Sequence, residues 1–357
     1  MSDAAHAAPA TLDREAISAV DRSGLLGDIL DLPAQLRDAL WRVESAGLEP
    51  FEAPGGMVVA GMGGSAIGGV LARAAVGDRA SRPILAARCY ELPSWTTPDT
   101  AVLCASYSGE TEETLACYEA AGALGARRIV VTTGGQLADL ARTDGVPVIP
   151  IPGGFVPRAA VAYLFVAALE VAALCGAAPR VHSEVDVAAA HAESLLDEWG
   201  PDGAPDSLAK SVALGLHETV PQIAGSGLTS PIAYRWKTQI NENAELPAFA
   251  HELPELDHNE IAGWTGCDGL ARFAAVFLDD CDLHPRARQR IELTRELIAP
   301  HAAATFKVES RGESRTERVV SLVLLGDLVS LYLAVLCGKD PTPVEALDQL
   351  KERLAQG

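Results

Sequence analysis

Two short turns, Gly61-Met62-Gly63-Gly64-Ser65 and Ser106-Tyr107-Ser108-Gly109-Glu110-Thr111, have the residue types and spacing of a ligand site. Each follows a short apolar run and leads into a helix-like segment. A strand that ends in small hydroxyl residues at a helix N-terminus binds anions, because free backbone N–H groups and the helix dipole both point at the ligand. Two such turns on neighbouring parallel strands would hold one phosphate and leave the rest of its molecule in the crevice above the sheet. Ser106, Ser108 and Thr111 set three hydroxyls around the second junction, with Gly109 allowing close backbone approach. Helix capping needs one hydroxyl and Ser108 could supply it alone, so three favour a phosphate site. A carboxylate there should repel the anion, so Glu110 is expected to point away or to pair with a base. Gly61, Gly63 and Ala66 also satisfy the loose dinucleotide pattern GxGxxG/A, but the next strand ends in Ala86-Ala87-Arg88, without the acidic ribose ligand. A bare packing turn is the third reading of Gly61–Ser65, and the Walker pattern is absent.

The elements that must position these turns follow from hydrophobic periodicity. Asp13 to Ala46 is helical, with Leu25, Ile29, Leu32, Leu36, Leu40 and Val43 at three- and four-residue spacing. Strands are predicted at 57–60, 84–87, 101–105, 129–132 and 146–149, and helices at 65–75, 111–124, from the Gly134-Gly135 turn to 141, and at 158–174. Residues 175 to 210 are more polar and read as a helical connector. A second block follows, with strands at 222–225, 273–278 and 305–309 and helices at 231–243, 286–301, 322–337 and 343–355. The fold class is therefore α/β, two three-layer αβα domains with mainly parallel sheets plus N- and C-terminal helices. The boundaries are 1–50 for the N-terminal helices, 51–178 for the first domain, 179–210 for the connector and 211–357 for the second domain. The second block's strand–Gly-Ser-Gly–helix at 222–243 echoes the opening of the first, which suggests two copies of one sugar-phosphate-binding architecture.

Composition narrows the function. A chain of 357 residues with 48% hydrophobic residues and a mean hydropathy of +0.15 supports two substantial cores. The net charge of −20 argues against nucleic acid and anionic membrane as partners. It also means that local basic groups must offset a repulsive field at any anion site. The seven cysteines form no CxxC and several lie in apolar runs, so they read as buried thiols in a reducing compartment. Residues 1 to about 12 look disordered and lack the pattern of a signal peptide. Leu322 to Cys337 is the nearest approach to a membrane span and Asp327 interrupts it, so a cytoplasmic location is expected. His182, His191, His217 and His284 form no paired-ligand pattern, and no metal site is expected.

Gly-Met-Gly-Gly-Ser followed by Ser-Tyr-Ser-Gly-x-Thr-Glu-Glu-Thr resembles the sugar isomerase (SIS) fold. Asn241-Glu242-Asn243-Ala244 and the stretch Glu252 to Glu260, with Gly153 to Arg158 and Lys339-Asp340-Pro341, narrow this. The sequence resembles the bifunctional phosphoglucose/phosphomannose isomerase family from about Gly24 to its end. The resemblance implies a homodimer with its active site at the subunit interface, acting on glucose, mannose and fructose 6-phosphates without metal or other cofactor. It makes Glu242 the catalytic base, His258 and Lys339 the ring-opening groups, and Arg158 the cation beside the reacting oxygens. Gly64, Ser65, Ser106, Ser108 and Thr111 match the phosphate cradle. It also implies that the histidine is supplied by the neighbouring subunit. Three residues depart from the family pattern: Glu110 and Asp257 stand where Asn is expected, and Val70 where Asp is common. A carboxylate at Asp257, if near the imidazole of His258, would favour its cation.

These residue types suit aldose–ketose isomerisation. A carboxylate can take the C2 proton and return it to C1, and a guanidinium stays charged beside the enediolate between. Histidine titrates near neutrality, which suits proton transfer at the ring oxygen and the O1 hydroxyl. Accepting both C2 epimers requires the enediolate to turn about its C2–C3 bond. Each residue also has a plainer role open to it. Glu242 could be a solvated helix carboxylate, His258 a surface or capping group, Lys339 a neutraliser of the preceding helix end, and Arg158 a structural ion-pair partner. A non-catalytic sugar-phosphate sensor and an amino-sugar phosphate isomerase are the competing readings.

Overall fold

The computed structural model describes residues 11–267 and 269–354. The expected disordered N-terminus lies outside the described residues up to position 10, and Leu12 is buried. The chain opens with α1 (Arg14–Val20), α2 (Leu25–Leu30) and α3 (Leu32–Ser45). An alternating run follows: β1 (Met57–Ala60), α4 (Gly63–Val76), β2 (Ile84–Ala87), β3 (Ala101–Ala105), α5 (Glu112–Ala123), β4 (Arg127–Thr132), α6 (Gly135–Asp144), β5 (Val148–Pro150) and α7 (Val161–Leu174). Then come α8 (His182–Trp199), α9 (Leu208–Leu216), β6 (Val220–Gly225), α10 (Ser230–Asn243) and β7 (Phe249–Glu252). The chain closes with β8 (Phe273–Asp279), α11 (Pro285–Ile298), β9 (Ala304–Glu309), α12 (Arg315–Leu336) and α13 (Glu345–Leu354). Among the described residues, 31–193 and 311–321 form one compact unit, and 11–30, 194–310 and 322–354 form the other. The N-terminal helices are thus shared between units, as is the 179–210 stretch.

The first unit holds a five-stranded parallel sheet in the order β2-β1-β3-β4-β5. Its central strands are apolar at every position because both faces are covered. Val58, Ala60, Val102, Cys104 and Val130 pack against Cys117, Tyr118 and Ala121 of α5 and Leu137 and Ala141 of α6. Helices α4 and α7 pack on each other, with α4 against β1 and β2 and α7 against β3. Helix α7 is buried from Val161 to Ala172, which explains why its sequence is apolar all round.

The second unit holds a four-stranded parallel sheet in the order β7-β6-β8-β9. Ala224, Ala275 and Phe277 on one face meet Ile291 and Ile298 of α11, with Leu256 and Trp264 from the 3-10 turns Glu255–His258 and Glu260–Gly266. Strand β7 is absent from the sequence reading. It is an edge strand with an exposed Phe249, so it lacks the buried run that marks its neighbours. Helix α12 is long and apolar enough to cross a bilayer, but that apolar stretch is wholly buried in the fold. Asp327 interrupts it because its carboxylate accepts from buried Arg235 Nη2 at 2.7 and 2.9 Å and from Gln239 Nε2 at 3.1 Å. Those bonds offset the cost of burying the charge.

The cysteines divide. Cys104, Cys117 and Cys175 are buried as expected, whereas Cys89 and Cys281 are exposed, which corrects the reading of uniformly hidden thiols. Burial pushes the Cys117 thiol up to about 11 and raises those of Cys104 and Cys175. Because the thiolate is the reactive form, Cys89 and Cys281 should react first with a disulfide reagent at pH 8, and Cys104, Cys117 and Cys175 only after unfolding. Mass spectrometry of the labelled peptides checks this, and labelling of the buried three in the native protein would contradict the packing.

Candidate functional site

In the five-stranded unit the strand order reverses between β2-β1 and β3-β4-β5, so β1 and β3 are neighbours whose connections leave in opposite directions. A crevice opens at the carboxyl ends of strands at such a switch point. Both glycine-and-hydroxyl turns fall there, Gly61–Ser65 after β1 and Ser106–Thr111 after β3. Gly63, Gly64 and Ser65 are the first residues of α4, and Thr111 is the N-cap residue of α5. Two helix N-termini therefore face one crevice, each with first-turn N–H groups that helix geometry leaves without intrahelical partners.

One hydrogen bond joins the two turns, and two more brace the second. The Tyr107 N–H donates to Ser65 Oγ at 3.2 Å, and the Gly109 N–H donates to Ser106 Oγ at 3.0 Å. The Ser106 and Thr111 hydroxyls lie 2.8 Å apart. Ser108 is exposed, and its Oγ accepts from the Glu110 N–H at 3.2 Å, so it does not cap α5. Two glycines have no substitute here. A β-carbon at Gly109, whose φ is +74°, would stand 1.9 Å from the Gly134 carbonyl oxygen, and one at Gly64 would stand 2.9 Å from the Pro157 oxygen. That second approach sets Gly64 against the backbone of Arg158, which is buried at 5% exposure. Arg158 lies in the turn before α7 and not in the helix that the sequence suggested, which begins at Val161. The structure thus brings Gly64, Ser65, Ser106, Ser108, Thr111 and Arg158 together in one unit.

Glu110 does point away. Its Oε1 accepts from the Gln136 N–H at 2.8 Å, in the first turn of α6, so its charge meets a helix N-terminus and not a base. Tyr107 has a role that the sequence reading missed. Its hydroxyl accepts from the Phe155 N–H at 2.9 Å and donates to the Pro152 carbonyl at 3.3 Å, which ties down the loop leading to Arg158. The signal was an aromatic ring with a polar tip inside a turn of small residues.

Glu242, His258 and Lys339 belong to the four-stranded unit. Glu242 is half-buried in the last turn of α10, and that helix is anchored to α12 by the Asp327 bonds and by Asn243 Nδ2 donating to Ser330 Oγ at 2.9 Å. Lys339 follows α12 and donates to Glu245, just past the end of α10. Its ammonium is thus held by a carboxylate, and that hydrogen bond raises its pKa above the ordinary lysine value. His258 is exposed at the end of the 3-10 turn Glu255–His258. Asp257 does not serve the imidazole: its carboxylate accepts from Arg290 Nη1 at 3.0 Å and Thr294 Oγ1 at 2.7 Å on α11.

The second glycine turn, Gly225-Ser226-Gly227, repeats the architecture but not the chemistry. Thr229 Oγ1 is turned inward to the Ser226 and Leu278 carbonyls, and the adjacent β8 runs into buried Asp279 and Asp280. Two carboxylates at that place oppose a second phosphate. Asp280, Cys281 and Asp282 hold three ligating atoms within 4.8 Å of one another, but Asp280 already accepts from Ser310 Oγ and the Asp282 N–H.

Comparison with known proteins decides the family. The chain is 42% identical over 303 residues to the bifunctional phosphoglucose/phosphomannose isomerase of Caldicellulosiruptor bescii, covering 84% of this chain and 89% of that one. It belongs to the bifunctional phosphoglucose/phosphomannose isomerase family. The protein of the same name from Aquifex aeolicus is 31% identical, covering 88% of this chain and 94% of the other. Residues 205–354 match the bacterial phospho-glucose isomerase C-terminal SIS domain. A crystal structure of a hypothetical protein from Thermus thermophilus shares the fold with a TM-score of 0.70 at 18% identity, covering 96% of this chain and 94% of that one. The two parallel-sheet units are therefore SIS domains of a family isomerase.

The Lys339–Glu245 pair makes a testable point about charge. A lysine whose folded pKa is raised contributes stability that is complete below its unfolded value, roughly 10.5, and is lost as pH rises through the folded value. Lys339 should therefore be an ammonium throughout the neutral range. Glu245→Gln should move its titration to lower pH, as followed by NMR of the lysine side chain; an unmoved titration would show that the pair does not set the charge.

Proposed function

We propose that this protein interconverts glucose 6-phosphate and mannose 6-phosphate with fructose 6-phosphate through a cis-enediol(ate). Its family supplies the reaction class, and the paired turns at the switch point of the five-stranded sheet are the observation that carries the substrate class. An anionic sugar tail fits there because two helix N-termini and the hydroxyls of Ser65, Ser106, Ser108 and Thr111 offer donors, while Arg158 adds positive charge to an acidic protein.

The chemistry then falls to four side chains. Glu242 takes the C2 proton and returns it to C1, a carboxylate shuttle that needs no second base for the reverse step. Arg158 stabilises the oxygens of the enediolate with a charge that cannot be lost. His258 and Lys339 open the ring. Lys339, kept protonated by Glu245, offers a fixed cation and hydrogen-bond donor, and His258 supplies the imidazole for proton transfer. The family resemblance makes the working form a homodimer, and an exposed His258 is consistent with a residue offered to the site of the second copy. The same chemistry needs no metal or other cofactor, and a soluble cytoplasmic enzyme is the corresponding setting.

Two experiments test this reading. In an assay of purified protein with glucose 6-phosphate or mannose 6-phosphate, with chelator present, turnover is expected on both sugars. Glu242→Gln should keep sugar-phosphate binding and lose turnover by about two to four orders of magnitude; retained turnover removes Glu242 from the role. Ser108→Ala combined with Thr111→Ala should raise KM for the phosphorylated sugar with a smaller change in kcat. An unchanged KM moves the phosphate to another place.

A further inference from the structure

The segment that carries His258 is held over a hollow. Its two 3-10 turns, Glu255–His258 and Glu260–Gly266, lie on the face of the four-stranded sheet built by Ala224, Ala275 and Phe277. Beneath them is a cavity of about 150 Å³, lined by Leu256, Trp264, Cys267 and Phe277 and bordered by His251 and Glu260. Side-chain packing supports the segment at Leu256 and Trp264, with partly buried Ile261 and Cys267 against the same cluster. Polar tethers hold the rest. Asp257 fastens one side to Arg290 and Thr294 of α11. Glu260 fastens the other side to Nδ1 of His251 on strand β7.

His251 is itself fixed. It stands in register with Ala224 of β6, and its Nε2 lies 2.6 Å from Gln222 Oε1 on the same strand. Whichever way the Gln222 amide faces, Nδ1 must carry a proton, because its partner is a carboxylate. The imidazole therefore donates to Glu260 in either its neutral or its cationic form. The His251 side chain is only 19% exposed and that of Glu260 43%, so the contact is partly shielded from water.

We propose that His251 and Glu260 are positioning residues for His258, a clasp that sets where its imidazole stands and so governs ring opening but not proton transfer at C1 and C2. This rests on the reading of His258 as a ring-opening group. Glu260 lies two residues from His258, so the clasp acts on the backbone that bears it, while Glu242 sits on α10, a different element. Loosening the clasp displaces one catalytic group and leaves the other where it was.

The test compares a sugar that must open with one that cannot close. Fructose 6-phosphate forms a ring through O5, whereas 5-deoxyfructose 6-phosphate has no O5 and stays open. Exchange of the C1 proton with solvent deuterium, followed by NMR, reports proton transfer on either compound. Glu260→Gln and His251→Gln should each slow turnover of fructose 6-phosphate by about tenfold or more. Exchange on the open-chain compound should stay within about twofold of wild type, and the double variant should be no slower than the single ones. Equal losses on both compounds would indicate a general structural effect and overturn the proposal, as would unchanged turnover of fructose 6-phosphate. His258→Ala is the control that separates the two levels. If it shows the same split and the clasp variants do not, the clasp alone fails. If His258→Ala slows both compounds equally, or wild type exchanges no proton on the open chain, the reading of the site fails and the proposal with it.

Discussion

Three backbones crowd together at the carboxyl ends of β1, β3 and β4, and the rest of the site depends on how closely they approach. The turn after β3 passes so near the Gly134 carbonyl that no side chain fits at Gly109, and the start of α4 presses on the Pro157–Arg158 turn in the same way at Gly64. This closeness has a chemical result. It directs two helix N-termini at one crevice and sets the Ser65, Ser106 and Thr111 hydroxyls between the turns. The parallel order β2-β1-β3-β4-β5 supplies the crevice, since only β1 and β3 are neighbours whose connections diverge.

Charge is arranged around the same constraint. A protein with a net charge of −20 should repel a phosphate, so the direction of the carboxylate inside the second turn matters. Glu110 serves the N-terminus of α6. In the four-stranded unit the corresponding turn runs beside Asp279 and Asp280, which pair with Arg288, Lys307 and Ser310. One fold copy is therefore suited to hold an anion and the other is not, although both have the strand–glycine–helix plan. Asp257 follows the same logic: its carboxylate is engaged by Arg290 and Thr294 of α11.

Much of this was legible in the sequence. Strands such as Met57–Ala60 and Ala101–Ala105 were readable to the residue because their apolar runs end in turn residues, and burial on both faces leaves no polar alternation to confuse them. The hydroxyl turns were readable because three Ser and Thr residues around one glycine exceed what a cap requires. What was not legible depends on partners distant in sequence. Glu110 finds Gln136, Asp257 finds Arg290 and Thr294, and Lys339 finds Glu245. No local pattern announces such contacts. Strand β7 escaped because an edge strand with an exposed Phe249 and a polar His251 resembles a loop, yet it carries half of the clasp. The start of α7 was misplaced because Arg158 reads as a good helix former, while the crowded turn against Gly64 holds it outside the helix.

The proposed place for the phosphate of a sugar is at the turns after β1 and β3. A crystal structure of the complex with fructose 6-phosphate tests it most directly. The phosphate oxygens should lie within hydrogen-bond distance of the Ser106–Thr111 hydroxyls and of backbone N–H groups at the start of α4 or α5. A phosphate bound elsewhere, with those turns left to water, would rule out this site.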